Sequence, residues 1–291
     1  DAAQALAVTA TAKNAPDADV LSAKADALVQ ESEERKADIR SLYAKWDDVG
    51  KVDNKKGHEI YQLAKDAYKE TFENGLKIIG TQSSELPKVY MHLKIEGGGL
   101  LVDKKLTGLA ELTADMMSES TSKYTSEEIS VELQKLGSSV SFSADEDGTT
   151  MYIESLTKNI DATLAIAEEK LLRPAFNKDD FKRVKKQTIE GMEAMKKNSQ
   201  YLGFTYFSNQ LFGETPFGRV TTEKSIKKIK LSDVQAYYNN YSPSVSSLVV
   251  VGDIDRNTLL SKIDFLKNWS SKKVEIPSEF NYPSINETQI Y

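Results

Sequence analysis

The spacing of the apolar residues changes near residue 70, and that change limits what the chain can fold into. Between residues 17 and 46 turn-formers are almost absent. Leu21, Ala25, Leu28, Ile39, Tyr43 and Trp46 recur there at helical spacing among Glu, Lys, Arg and Asp. A turn-rich break over 47–57 follows, and Ile60, Leu63, Ala64 and Tyr68 resume the stripe. The pattern predicts a helical hairpin within residues 1–69, a linker or brace rather than a site.

Beyond Glu73 the elements are short. Asn74-Gly75 is a hairpin turn signal, because both residues tolerate positive φ. Leu76 to Ile79 then reads as a strand, and Val89, Met91, Leu93 and Ile95 alternate with polar residues as a half-buried strand. Helices are expected over 108–117, from Ser126, over 159–172 and from an Asn177 cap. The stripe of this last helix is Phe181, Val184, Thr188, Met192 and Met195. A second hairpin turns at Asp147-Gly148, two further helices are read near 201–212 and 232–241, and Leu248-Val249-Val250-Val251 reads as a buried strand. The expected fold is α+β, an antiparallel sheet with helices packed on one face over residues 70–275. Residues 276–291 would begin the connection to a second subdomain.

Composition excludes several functions. The 291 residues carry 38 Lys+Arg against 44 Asp+Glu, a net charge of −6, which argues against a nucleic-acid partner. No apolar run approaches the roughly 18 residues of a membrane span. With no cysteine and only His58 and His92, the chain cannot form thiolate or His-rich metal sites. It starts at Asp1 without a leader pattern, and it is expected to be a piece of something longer.

Several strings, in order, resemble one half-unit of the insulinase/pitrilysin family of zinc metallopeptidases, which includes mitochondrial processing peptidase and the cytochrome bc1 core proteins. They are Phe72-Glu73-Asn74-Gly75-Leu76-Lys77, Gly108-Leu109-Ala110-Glu111-Leu112, Gly137, Arg173-Pro174-Ala175-Phe176, Phe212-Gly213 with Pro216-Phe217-Gly218, and Val249-Val250-Val251-Gly252-Asp253-Ile254. Together they span about 200 residues. The resemblance implies an inverted His-x-x-Glu-His zinc motif on the 108–117 helix, with a Glu on a later helix as third ligand. Here those slots hold Glu111, Ala114, Asp115 and Gly191, with Glu190 beside the last. Neither imidazole, nor the general base, nor the third carboxylate is present.

The resemblance therefore implies an inactive half that binds no zinc or other cofactor. Such a half would wall a peptide chamber and pair with a zinc-bearing homologous half, fused upstream or on another subunit, with unfolded peptides as substrates. A structural, core-protein-like or peptide-binding module without proteolysis is the alternative. Family habit points to a periplasmic or exported bacterial location. Glu111, Asp115 and Glu190 are the expected cavity-lining residues.

Other candidates read more plainly. Glu111 and Asp115, at i and i+4, could face a hard cation, but they also suit a wet cavity wall. Asp145-Glu146-Asp147-Gly148 is a turn, and Gly97-Gly98-Gly99 is a strand exit. His92 is expected on the surface beside Tyr90 and Lys94. The basic clusters at Lys182-Arg183, Lys185-Lys186, Lys224, Lys227-Lys228 and Lys230 are expected on solvated helix faces, with steering of acidic peptides as their functional alternative. Met116, Met117, Met192 and Met195 are expected to pack between two helices.

Overall fold

A computed structural model describes residues 67–283. The helical hairpin expected within 1–69 lies almost wholly outside the described residues. At its edge, Tyr68 starts a strand rather than continuing a helical stripe.

Among the described residues six strands form one sheet: β1 (Tyr68–Thr71), β2 (Lys77–Gln82), β3 (Lys88–Glu96), β4 (Ser139–Ala144), β5 (Gly148–Leu156) and β6 (Ser246–Gly252), in the order β1-β2-β6-β3-β5-β4. Gly75 supplies the positive φ (93°) of the β1–β2 turn. The sheet is mixed rather than purely antiparallel, because β6 returns after the helices and inserts between β2 and β3. It runs parallel to β2 and antiparallel to β3.

The helices are α1 (Leu109–Met117), α2 (Ser126–Leu136), α3 (Ile160–Leu172), α4 (Lys178–Met195), α5 (Ser199–Phe212), α6 (Glu223–Lys228), α7 (Leu231–Tyr238) and α8 (Arg256–Lys262). Their starts follow local chemistry. Thr125 and Glu128 form a reciprocal capping box on α2, and the Asn177 side chain accepts from the amides of Asp179 and Asp180 to open α4.

The helices cover one sheet face. Val89, Met91, Leu93 and Ile95 of β3 point into this core with Leu248 and Val250 of β6, Met151 and Ile153 of β5, and Leu112, Met116 and Met117 of α1. Among the described residues no element covers the other face, so burial alternates along the run Leu248–Val251, with Val249 and Val251 facing away from the core. Ile79, Val249, His92 and Tyr152 stand side by side across four strands on this open face, with His92 edge-on to Tyr152 at 4.8 Å. Met116 and Met117 are buried between elements as expected, but Met195 is 43% exposed, because α4 has run past the core by its last turn.

β4 is an edge strand whose outer rim is partly closed. The Asp145 amide bonds the Gly148 carbonyl, so alternation turns the backbone groups of Val140, Phe142 and Ala144 away from β5. Two of these outward groups are taken. Ser118 Oγ accepts the Phe142 amide at 3.1 Å, and Lys170 Nζ donates to the Val140 carbonyl at 3.3 Å and to the Ser118 carbonyl at 2.6 Å. Lys170 is only 3% exposed, and burial pulls its ammonium down to about 8.

The lowered value disfavours the charged form in the folded state. Below pH 8 the folded protein carries the full penalty, and stability rises as pH climbs from about 8 to the unfolded value of 10.5. The stability difference between the wild type and Lys170→Met should therefore shift in favour of the wild type by roughly 3 kcal/mol between pH 7.5 and 10.5. Urea unfolding of both proteins across that range measures the shift, and a constant difference would refute the assignment.

Candidate functional site

The site implied by the sequence lies on α1, and the position of that helix is set at its first residue. Gly108, its N-cap, sits at φ 96°, and a Cβ there would fall 2.4 Å from Ile226 Cδ1 and 2.7 Å from Thr221 Cγ2. A side chain would thus push α1 off α6 as well as strain the backbone. Leu109, Ala110, Leu112, Thr113, Ala114, Met116 and Met117 are all buried, which leaves Glu111 and Asp115 as the solvent-facing pair one turn apart.

Of the four slots, then, two share an accessible face, and the other two offer no donor. Ala114 is fully buried, and Gly191 lies on an open stretch of α4 where a Cβ would meet nothing within 4 Å. Glu190 is exposed and pairs along its own helix with Lys186 at 3.7 Å, so it does not join the α1 carboxylates. α4 is instead tied to the end of α1 through Arg183, which bonds Glu119 and also Asp180 at 3.0 Å.

The electrostatics of the two carboxylates are set mainly by local desolvation. Desolvation among neighbouring atoms raises the Glu111 carboxyl above its ordinary value, and Glu146, Asp115 and Asp145 add repulsion. Asp115 is raised in the same way, with Glu119 as the charged neighbour. Among the described residues, no group of three or more His, Cys, Asp or Glu side chains is arranged to hold a metal ion. Two carboxylates beside an alanine and a glycine do not fit a zinc centre, which wants nitrogen or sulfur donors in a closed set. Glu111 and Glu146 share a pit of only about 40 Å³ with Arg219, Gly99, Gly108 and Pro216, room for a water molecule or two.

Sequence reasoning missed Lys170, Ser118 and Arg219. Arg219 directly follows the Pro216-Phe217-Gly218 string, and its guanidinium is fixed by the carbonyls of Glu214 and Val102, both at 3.0 Å. Nothing local signals that role, because Val102 is far away in the chain. A groove of about 670 Å³ between α2 and α3 has no α1 residue in its lining. Its rim charges are largely self-paired, with Arg173 bridging Glu168 and Glu169.

The two glycines make opposite predictions. Gly108→Ala should cost about 1–3 kcal/mol through the positive φ and the contact with Ile226. Gly191→Ala, in open helix, should stabilise by about 0.5–1 kcal/mol. Thermal or urea unfolding of the two variants checks both signs.

Residues 77–225 match the family model described as insulinase (peptidase family M16). The chain is 26% identical over 206 residues to the non-peptidase homolog YmxG of Helicobacter pylori, covering 69% of this chain and 48% of that protein. It is 22% identical over 211 residues to the beta subunit of the mitochondrial-processing peptidase of Bos taurus, covering 71% and 43%. The chain thus spans about half the length of the curated relatives it matches. Among solved structures, a peptidase M16 inactive domain from Pseudomonas fluorescens superposes with TM-score 0.67 at 22% identity, over 75% of this chain and 54% of that one. The periplasmic protease PqqL of Escherichia coli gives TM-score 0.68 at 18% identity, over 76% and 26%. With the matched region running from β2 into α6, this chain belongs to the insulinase (M16) peptidase family.

Proposed function

We propose that this domain is a non-catalytic half-unit of an M16-type peptidase, walling a peptide chamber and pairing with a homologous half that carries the zinc. One observation carries the reading: the helix that would present the metal motif is kept in place, yet its accessible positions hold Glu111 and Asp115, with Ala114 buried behind them. The scaffold is retained and the donors are not. A zinc-bearing partner supplies the hydrolytic chemistry, and this half supplies shape and contacts for an unfolded peptide.

Strand addition at β4 would be confined to the end near Ala144, since Lys170 and Ser118 already occupy the rim at Val140 and Phe142. The inactive M16 domain and the periplasmic protease among the similar structures favour an exported protein working beside an active half. A core-protein-like structural role is the second reading. It is favoured by the similarity to a protein described as a non-peptidase homolog.

Metal analysis of the purified chain should find far less than one zinc per molecule, and an unstructured peptide should survive incubation with it. One tightly bound zinc, or cleavage abolished by a chelator, would overturn the proposal. Mixing the chain with a zinc-bearing M16 half expressed from the same source separates the two readings. Restored cleavage supports the chamber role, and a stable but inert complex supports the structural one.

A further inference from the structure

A second recess lies where the short 3-10 turn Lys104–Leu106 meets α6 and the segment after α5, with a volume of about 460 Å³. Lys104 and Lys105 come from one wall. Lys224 and Lys228, one turn apart on α6, come from the other, and Arg219 stands between them. Glu214 is the one carboxylate in the lining, although Asp103 flanks the turn and caps the Lys105 amide.

None of the five cations has a carboxylate partner within 4 Å among the described residues. Their neighbours are paired: Lys227 with Glu223, and Lys196 with Glu193. A protein with six excess negative charges thus gathers five unpaired positive ones, drawn from parts of the chain more than 100 residues apart, around one concavity.

We infer that this recess binds an acidic polypeptide segment. Four of the five cations are lysines, which act as mobile point charges rather than planar forks, and the Arg219 guanidinium already spends two of its donors on backbone carbonyls. The recess therefore lacks the convergent clamp that a single phosphate group rewards. Its cations are spread over two walls, as suits a run of carboxylates on an extended chain. Its concavity suits a chain better than a flat lipid surface. Of the hydroxyls in the lining, those of Thr107 and Ser225 already donate to the Lys104 and Thr222 carbonyls, and the Thr222 hydroxyl accepts the Ser225 amide, so they fix the walls that carry the lysines. Attraction in such a cleft raises the association rate and falls with salt.

This inference is independent of the non-catalytic reading: a zinc-free chain that ignored acidic peptides would leave that reading intact. The test is fluorescence anisotropy of the full chain with a fluorescein-labelled hexaglutamate peptide, at 50 and 200 mM salt. Binding should be measurable at low salt, weaker at high salt and absent for a hexalysine peptide. K104E/K224E should weaken binding at least about tenfold. K182E/K186E, the same charge change on the outer face of α4, should weaken it less than about twofold, with circular dichroism confirming that both variants fold. Equal losses in the two variants, or no binding of hexaglutamate, would overturn the proposal. So would complete displacement by 10 mM inorganic phosphate, which would make the recess a phosphate site. Capture by phosphatidylserine vesicles without peptide binding would equally count against it.

Discussion

The wedging of α1 between the sheet and its helical neighbours is the contact on which the rest of this molecule depends. Seven of its nine residues are buried, so the helix has almost no freedom to roll, and its two accessible side chains are fixed in direction. Gly108 lets it begin against Ile226, while Ser118, just past its last turn, bonds the Phe142 amide of β4. Any chemistry on this helix is therefore aimed by packing, and what it now aims is a pair of exposed carboxylates that local desolvation raises above their ordinary values.

That arrangement separates what the fold needs from what the exposed face of α1 carries. Ligand side chains face solvent and add little to the core, so exchanging them for other polar groups leaves Leu112, Met116 and Met117 undisturbed. Ala114 fills a fully buried position with the smallest side chain that supports a helix. Gly191, in contrast, contributes nothing to packing, as the space around it is open. The four positions implied by the resemblance thus differ: two carry polar side chains on the exposed face of α1, and two carry no side chain that reaches a shared site.

Strands β2 to β6, the main helices and the Asn177 cap were legible in the sequence because each rests on neighbours a few residues apart, as in the alternation of β3 and the turn at Asn74-Gly75, whereas β1 was read as the end of a helical stripe through Tyr68. The parallel pairing of β6 with β2 was not, since nothing in the run Leu248–Val251 records which strand it will lie beside. That same run misled about burial, because an apolar string reads alike whether one face or both are covered. Lys170 carries no local signal of its role. Its acceptors are Ser118 and Val140, 52 and 30 residues away, a distance no local pattern spans. Glu111 and Asp115 were recognisable as slots only through their place in a known motif, and their shared face follows from helix geometry alone.

The rim of β4 has a consequence for how copies of this protein behave towards one another. An outermost strand with bare amides and carbonyls is a template on which a second molecule can lengthen the sheet, and repeated lengthening yields insoluble ribbons. By inserting an ammonium and a hydroxyl of its own into that row, the fold occupies two of the groups such growth would use. A lysine that is costly to bury thereby interrupts the template at the middle of that strand.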